Sequence, residues 1–143
     1  LQHPPRFARG TEVLVAENPR VVEAGAQMRV EQPLVSAGGS PSGAVQLLVG
    51  QLVEAGVAVR YHGDFDTAGL ALCARMSAAG AVPWRMTAGD YRAALADADA
   101  QGVDLPVESR RPGSTPWDPS LHAVFDHERR IVHEERLLPD LLR

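Results

Sequence analysis

The chain of 143 residues carries 14 basic and 18 acidic side chains, for a net charge of −4, and is 45% hydrophobic and 22% charged. That size supports one domain with a core of its own, and the composition is that of a globular protein. The acidic balance argues against a free-standing nucleic-acid binder with a basic face, and no apolar run reaches the ~20 residues of a membrane span. The lone Cys73 excludes an internal disulfide and makes the cytosol the expected compartment. All basic residues apart from histidine are Arg, a bias of the kind a GC-rich bacterial genome imposes. Residues 1–10 lack the layout of a signal peptide and read as a linker from a preceding region, with the domain occupying 11–143.

The first element is a β-branched run, TEVLVAEN, which stops at Asn18-Pro19, an N-cap followed by proline at the first helical position. A helix to about Met28 follows, with Val21, Val22 and Ala26 expected inward. QPLVSA is a very short second strand, and GGSPSG is a turn whose Ser40-Pro41 opens a helix ending at Gly56. VAVRYHG is a third strand, Thr67–Ala79 a helix closed by Gly80, VPWRM a fourth strand, and 88–100 a further helix. Residues 102–120, rich in Pro and Gly, read as a loop. A long last helix is expected over Pro119–Leu138, docking Leu121, Val124, Phe125, Val132 and Leu138 on the sheet. Strand–helix alternation predicts an α/β, Rossmann-like fold: a four-stranded, mainly parallel sheet with helices on both faces and a C-terminal helix.

In such a sheet, ligands bind beyond the carboxyl ends of the strands. Glu17 follows the first strand, and Asp64 and Asp66 follow the third. If those strands are neighbours, three carboxylates share one crevice, an oxygen donor set suited to Mg²⁺ or Mn²⁺ and to phosphoryl or phosphodiester chemistry. Gly69 allows close backbone approach there. A calcium loop beginning at Asp64 fails, because Ala68 and Arg75 stand where an oxygen ligand and a Glu are required. A haloacid-dehalogenase-type phosphatase wants Thr or Val at the Ala68 position. A plain alternative is that Asp66 caps the following helix with Asp64 solvated beside it.

Glu17, the Gly39-Ser40-Pro41 turn and Asp64-x-Asp66-x-x-Gly69 in this order resemble the Toprim domain, in the branch of the topoisomerase VI A subunit. AENPRVVEAGA, YHGDFDTAGL, PWRM and HEERLLPDLL together resemble an uncharacterised bacterial family with such a domain at its C-terminus, similar to the Toprim nuclease subunit of the Wadjet plasmid-defence system. The likeness spans about residues 11–138. It implies that Asp64 and Asp66 hold Mg²⁺ (or Mn²⁺), that Glu17 transfers protons or joins the metal shell, and that DNA is the partner and is cleaved. Many Toprim domains follow the glutamate with glycine, where this chain has Asn18-Pro19. The same module without turnover, as a metal-dependent DNA-binding or assembly part, is the alternative. A phosphotransferase with Asp64 as nucleophile is a third, and self-association stays open.

Other residues carry weaker signals. His62, two before Asp64, should share its side of the strand and is an accessory candidate, though more often such a histidine is structural. Arg20 is placed to meet a phosphate or to stay solvated. Tyr61 and Tyr91 read as packing residues rather than nucleophiles, Cys73 as a core residue, and Trp84 and Trp117 as packing anchors. Arg110-Arg111 reads as an exposed pair. His127, Glu128, His133, Glu134 and Glu135 are expected on the charged outer face of the last helix, since no His-x-x-x-His spacing supports a transition-metal site; one glutamate reaching the acidic cluster is the alternative.

Overall fold

The computed structural model describes residues 11–28, 33–38 and 42–141. Elements run β1 (Glu12–Ala16), α1 (Pro19–Gln27), β2 (Leu34–Ser36), α2 (Ser42–Glu54), β3 (Ala58–His62), α3 (Thr67–Ala78), β4 (Val82–Pro83), α4 (Ala88–Ala100) and α5 (Pro119–Glu128). A 3₁₀ turn (Glu134–Leu137) and the short α6 (Leu138–Leu141) follow. The four strands form one all-parallel sheet in the order β2-β1-β3-β4. Among the described residues no helix is long and apolar enough to cross a membrane.

The strands are apolar along their length because both faces are covered, as parallel sheets require. Side chains alternate between faces. Val13, Val15, Val59 and Tyr61 meet Val49 and Leu52 of α2, Leu70, Cys73 and Met76 of α3, Tyr91 and Leu95 of α4, and Leu121 and Phe125 of α5. On the other face Ala16 packs with Val21 and Leu141, flanked by Trp84 and Leu137. A ladder of rings, Phe65–Tyr91 at 5.2 Å and Tyr91–Phe125 at 5.4 Å, ties the loop after β3 to the helices that cover it.

From β1 the chain crosses to β2 on one side, and from β3 to β4 on the other. The carboxyl ends of the adjacent β1 and β3 are therefore the topological switch point, where α/β sheets open a crevice. Register sets Ala16 beside His62, so the residues that follow, Glu17 and the Gly63–Asp66 turn, emerge together.

Several expectations are corrected. The last helix does not reach Leu138: it stops at Glu128, and Arg129 adopts a left-handed φ of 57° as its C-cap. The β-branched Ile131-Val132 pair that follows favours extended backbone. Arg129 is compensated by bonds to the Asp126 carboxylate (2.5 Å) and the Arg110 carbonyl (3.1 Å). Residues 130–132 then run extended, bridging antiparallel to Val107 and to Phe65. Of the expected docking residues, Leu121, Phe125 and Val132 are buried and Val124 packs at the margin; the side chain of Leu138 lies outside the described residues. The inner face of α1 is Val21 and Gly25, with Ala26 exposed, and β4 is only two residues long: the Trp84 N–H still bonds the Tyr61 carbonyl (2.8 Å), and Arg85 then leaves the extended region with a φ of 53°. The proposed linker and Gly39-Ser40-Pro41 also lie outside the described residues.

Candidate metal centre

Glu17 leaves β1 at the switch point. Its backbone N–H donates to the His62 carbonyl (3.2 Å), and its Oε2 accepts the Asp64 N–H (3.0 Å), so the turn after β3 is fastened to the turn after β1. A methyl group added at Gly63 would stand 2.8 Å from Oε2 and 3.0 Å from the Tyr61 hydroxyl, so a larger residue there would displace the Glu17 carboxylate. Burial, with Asp64, Asp66 and Glu134 nearby, raises the Glu17 carboxyl to about 7 against the pull of the Asp64 N–H. The Tyr61 hydroxyl is fully buried, has no hydrogen-bond partner among the described residues, and faces this same spot.

Asp64 and Asp66 flank Phe65, whose ring is in the core. Since neighbours along extended backbone point opposite ways, the two carboxylates turn outward to the crevice. Asp66 also caps α3, its Oδ1 accepting the Gly69 N–H at 2.6 Å, so capping and site membership coincide. Gly69 is required by approach: a Cβ there would lie 2.2 Å from the Asp64 carbonyl oxygen. Burial raises the Asp66 pKa, opposed by the Gly69 bond, with Asp64 adding to the rise and His133 offsetting it.

The structure adds two residues that the sequence placed on an outer helical face. Glu134 is fully buried. Its carboxylate accepts the Asn18 N–H (2.6 Å) and pairs with His62 Nδ1 (2.8 Å), while its own N–H donates to Asp64 Oδ1 (2.5 Å). One side chain thus clamps both site turns. His133 stands opposite Asp64 in the Phe65–Val132 bridge, with Nδ1 3.6 Å from Asp64 Oδ2. Ligand atoms of Asp64, Asp66 and His133 all lie within 4.8 Å of one another, whereas Glu17 adjoins this group through the Asp64 amide. The sequence signal for both additions was the Ile131-Val132 pair, which breaks the helix; no spacing of His and Glu foretold them.

The remaining candidates are accounted for. His62 is fully buried as the partner of Glu134, with Nε2 left unpartnered among the described residues. Arg20 pairs on the surface with Glu135 at 2.6 Å. Tyr91 donates to the Arg130 carbonyl, and Trp117 to that of Met86. Cys73 is a buried free thiol that burial, with Glu17 nearby, pushes up to about 12. Arg110 bonds Glu108, and His127 stays exposed.

Two carboxylates and an imidazole beside a carboxyl whose pKa lies near neutrality form a donor set for a divalent ion with an adjacent proton carrier. No curated protein and no solved structure matches the chain. A family model does, over residues 2–143: the chain belongs to the family described as "Protein of unknown function C-terminus (DUF2399)".

Proposed function

We propose that this is a Toprim-type domain of a larger bacterial protein, acting in the cytosol and related to the Wadjet nuclease subunit, that cleaves DNA phosphodiester bonds with Mg²⁺ or Mn²⁺. The observation that carries this reading is the Glu17 carboxyl, raised to about 7 and fastened to the turn that bears Asp64 and Asp66 at the switch point. Those two aspartates would hold the ion, and their hard oxygen donors fit it. When bound, such an ion supplies charge neutralisation at the phosphate and the leaving oxygen. Glu17, with a pKa close to working pH, is suited to take a proton from an attacking group or return one to the leaving oxygen. The buried Tyr61 hydroxyl beside it has no hydrogen-bond partner among the described residues.

A second reading, a metal-dependent DNA-binding or assembly module without turnover, draws on the net charge of −4, which leaves backbone binding to other parts of the protein. Nicking of supercoiled plasmid by the full-length protein with Mg²⁺ or Mn²⁺ separates them. Asp66→Asn and Glu17→Gln should each cut at least about 100-fold more slowly than wild type, or ~2.7 kcal/mol in barrier. A wild type no faster than these variants overturns cleavage; metal-dependent DNA retention without cutting would put the module reading in its place.

A further inference from the structure

We infer that His133 is the third protein ligand of the ion held by Asp64 and Asp66, and that its nitrogen makes this a site for Mn²⁺ in preference to Mg²⁺. The inference rests on the metal-binding reading above and names the ion it selects.

Placement comes first. Phe65 and Val132 exchange both backbone bonds of an antiparallel bridge, at 2.8 and 3.1 Å, and both side chains are fully buried. Residues one step away must therefore point to the crevice side. That rule sends Asp64 and Asp66 from one strand and His133 from the other into the same space, with His133 directly across from Asp64. Backbone pairing fixes the Cα of His133 across from Asp64, and its Nδ1 stands 3.6 Å from Asp64 Oδ2. A side-chain exposure of 60% leaves it open to an ion arriving from solvent.

Spacing comes second. An octahedral ion with bonds of ~2.1 Å sets its ligand atoms ~3.0 Å apart in cis and ~4.2 Å in trans. The 3.6 Å between His133 Nδ1 and Asp64 Oδ2 falls between these, and the 4.8 Å bound on the whole group closes with sub-ångström shifts. The Tyr61 hydroxyl, fully buried and without a hydrogen-bond partner among the described residues, lies on the Glu17 side of this crevice, beside Gly63.

Donor chemistry decides the ion. Mg²⁺ is hard, prefers oxygen and keeps its waters, so an imidazole adds little to its binding. Mn²⁺ accepts the same octahedron and, although the weakest nitrogen binder of its own row, gains more from an imidazole than Mg²⁺ does. Two carboxylates with one nitrogen therefore raise Mn²⁺ affinity selectively.

The test is Mn²⁺ binding to the full-length protein, followed by calorimetry and by pulsed electron paramagnetic resonance, which reads ¹⁴N nuclei coupled to bound Mn²⁺. Wild type should show imidazole ¹⁴N modulation. In His133→Ala that modulation should vanish, and Mn²⁺ affinity should fall at least about 10-fold while Mg²⁺ affinity changes less than about 2-fold. The exposed position makes His133→Ala a safe substitution for folding, and thermal unfolding checks it. Mn²⁺ bound in an Asp66-dependent manner but with no ¹⁴N modulation, or with modulation unchanged in His133→Ala, overturns the ligand role and leaves the metal site standing. If wild type binds no Mn²⁺, or Asp66→Asn binds it equally well, the metal-binding reading falls and takes the inference with it.

Discussion

Glu17, Asp64 and Asp66 stand on turns that leave adjacent parallel strands, whereas His133 and Glu134 stand on a segment outside the sheet, fastened by two isolated bridges and by the bonds of Glu134. The first group is placed by the sheet: register puts Ala16 beside His62, and the residues beyond them follow. The second group is placed by one backbone reversal at Arg129 and by what it then bonds. The C-terminal half takes its position from Phe65, Asp64, His62 and Asn18 and from the bridge to Val107. The contrast shows that the acids are positioned by architecture and then braced by side-chain bonds from far along the chain.

Breaking the brace should have the largest effect. Glu134→Ala strips the partner from buried His62 Nδ1 and from the Asn18 N–H; unfolding in denaturant should show a loss of about 3 kcal/mol. A loss under about 1 kcal/mol would mean that the C-terminal segment merely rests on the site.

The sheet-borne half has a pH signature. In metal-free protein the raised Glu17 pKa means that the folded state keeps a proton which the unfolded chain, at 4.5, releases sooner. Stability conferred by the neutral acid is complete below pH 4.5 and is lost as pH rises through about 7. Glu17→Gln lacks this loss, so with chelator present it should gain about 1–2 kcal/mol on wild type between pH 5 and pH 8, a figure discounted for partial solvent screening. Parallel stability curves for the two proteins would refute the shift.

The reversal itself can be stressed through Arg129. A β-branched side chain is strained at positive φ, so Arg129→Val should cost about 1–2 kcal/mol, read as a lowered unfolding midpoint. It should also weaken Mn²⁺ binding, because His133 loses its fixed place. The smallest effect belongs to Arg20 and Glu135, exposed by 65% and 49%: Arg20→Ala should change stability by no more than about 1 kcal/mol.

What was legible in the sequence follows the same division. The parallel α/β sheet and the order of its helices were readable because apolar runs, Asn18-Pro19, and the stops at Gly56 and Gly80 are local signals; those two glycines take φ of 84° and 107°. Glu17, Asp64 and Asp66 could be grouped because strand ends in such a sheet have a known use. Glu134 was not legible. Its environment is made of residues 70 and 116 positions away, and helical periodicity carried past Arg129 turned it outward. Only the pair Ile131-Val132 argued locally against that helix.

The Asn18–Glu134 bond has a consequence for how the chain matures. Contacts separated by 116 residues close a very long loop and form late, since closure entropy must be met before such contacts stabilise anything. At roughly 5–20 residues per second, the ribosome leaves several seconds between synthesis of β3 and emergence of Glu134. During that interval the sheet can assemble, while Asp64 lacks its clamp and the crevice lacks His133. Competence of this site therefore waits on the synthesis of residues 129–134, and a product arrested before them would lack the finished centre.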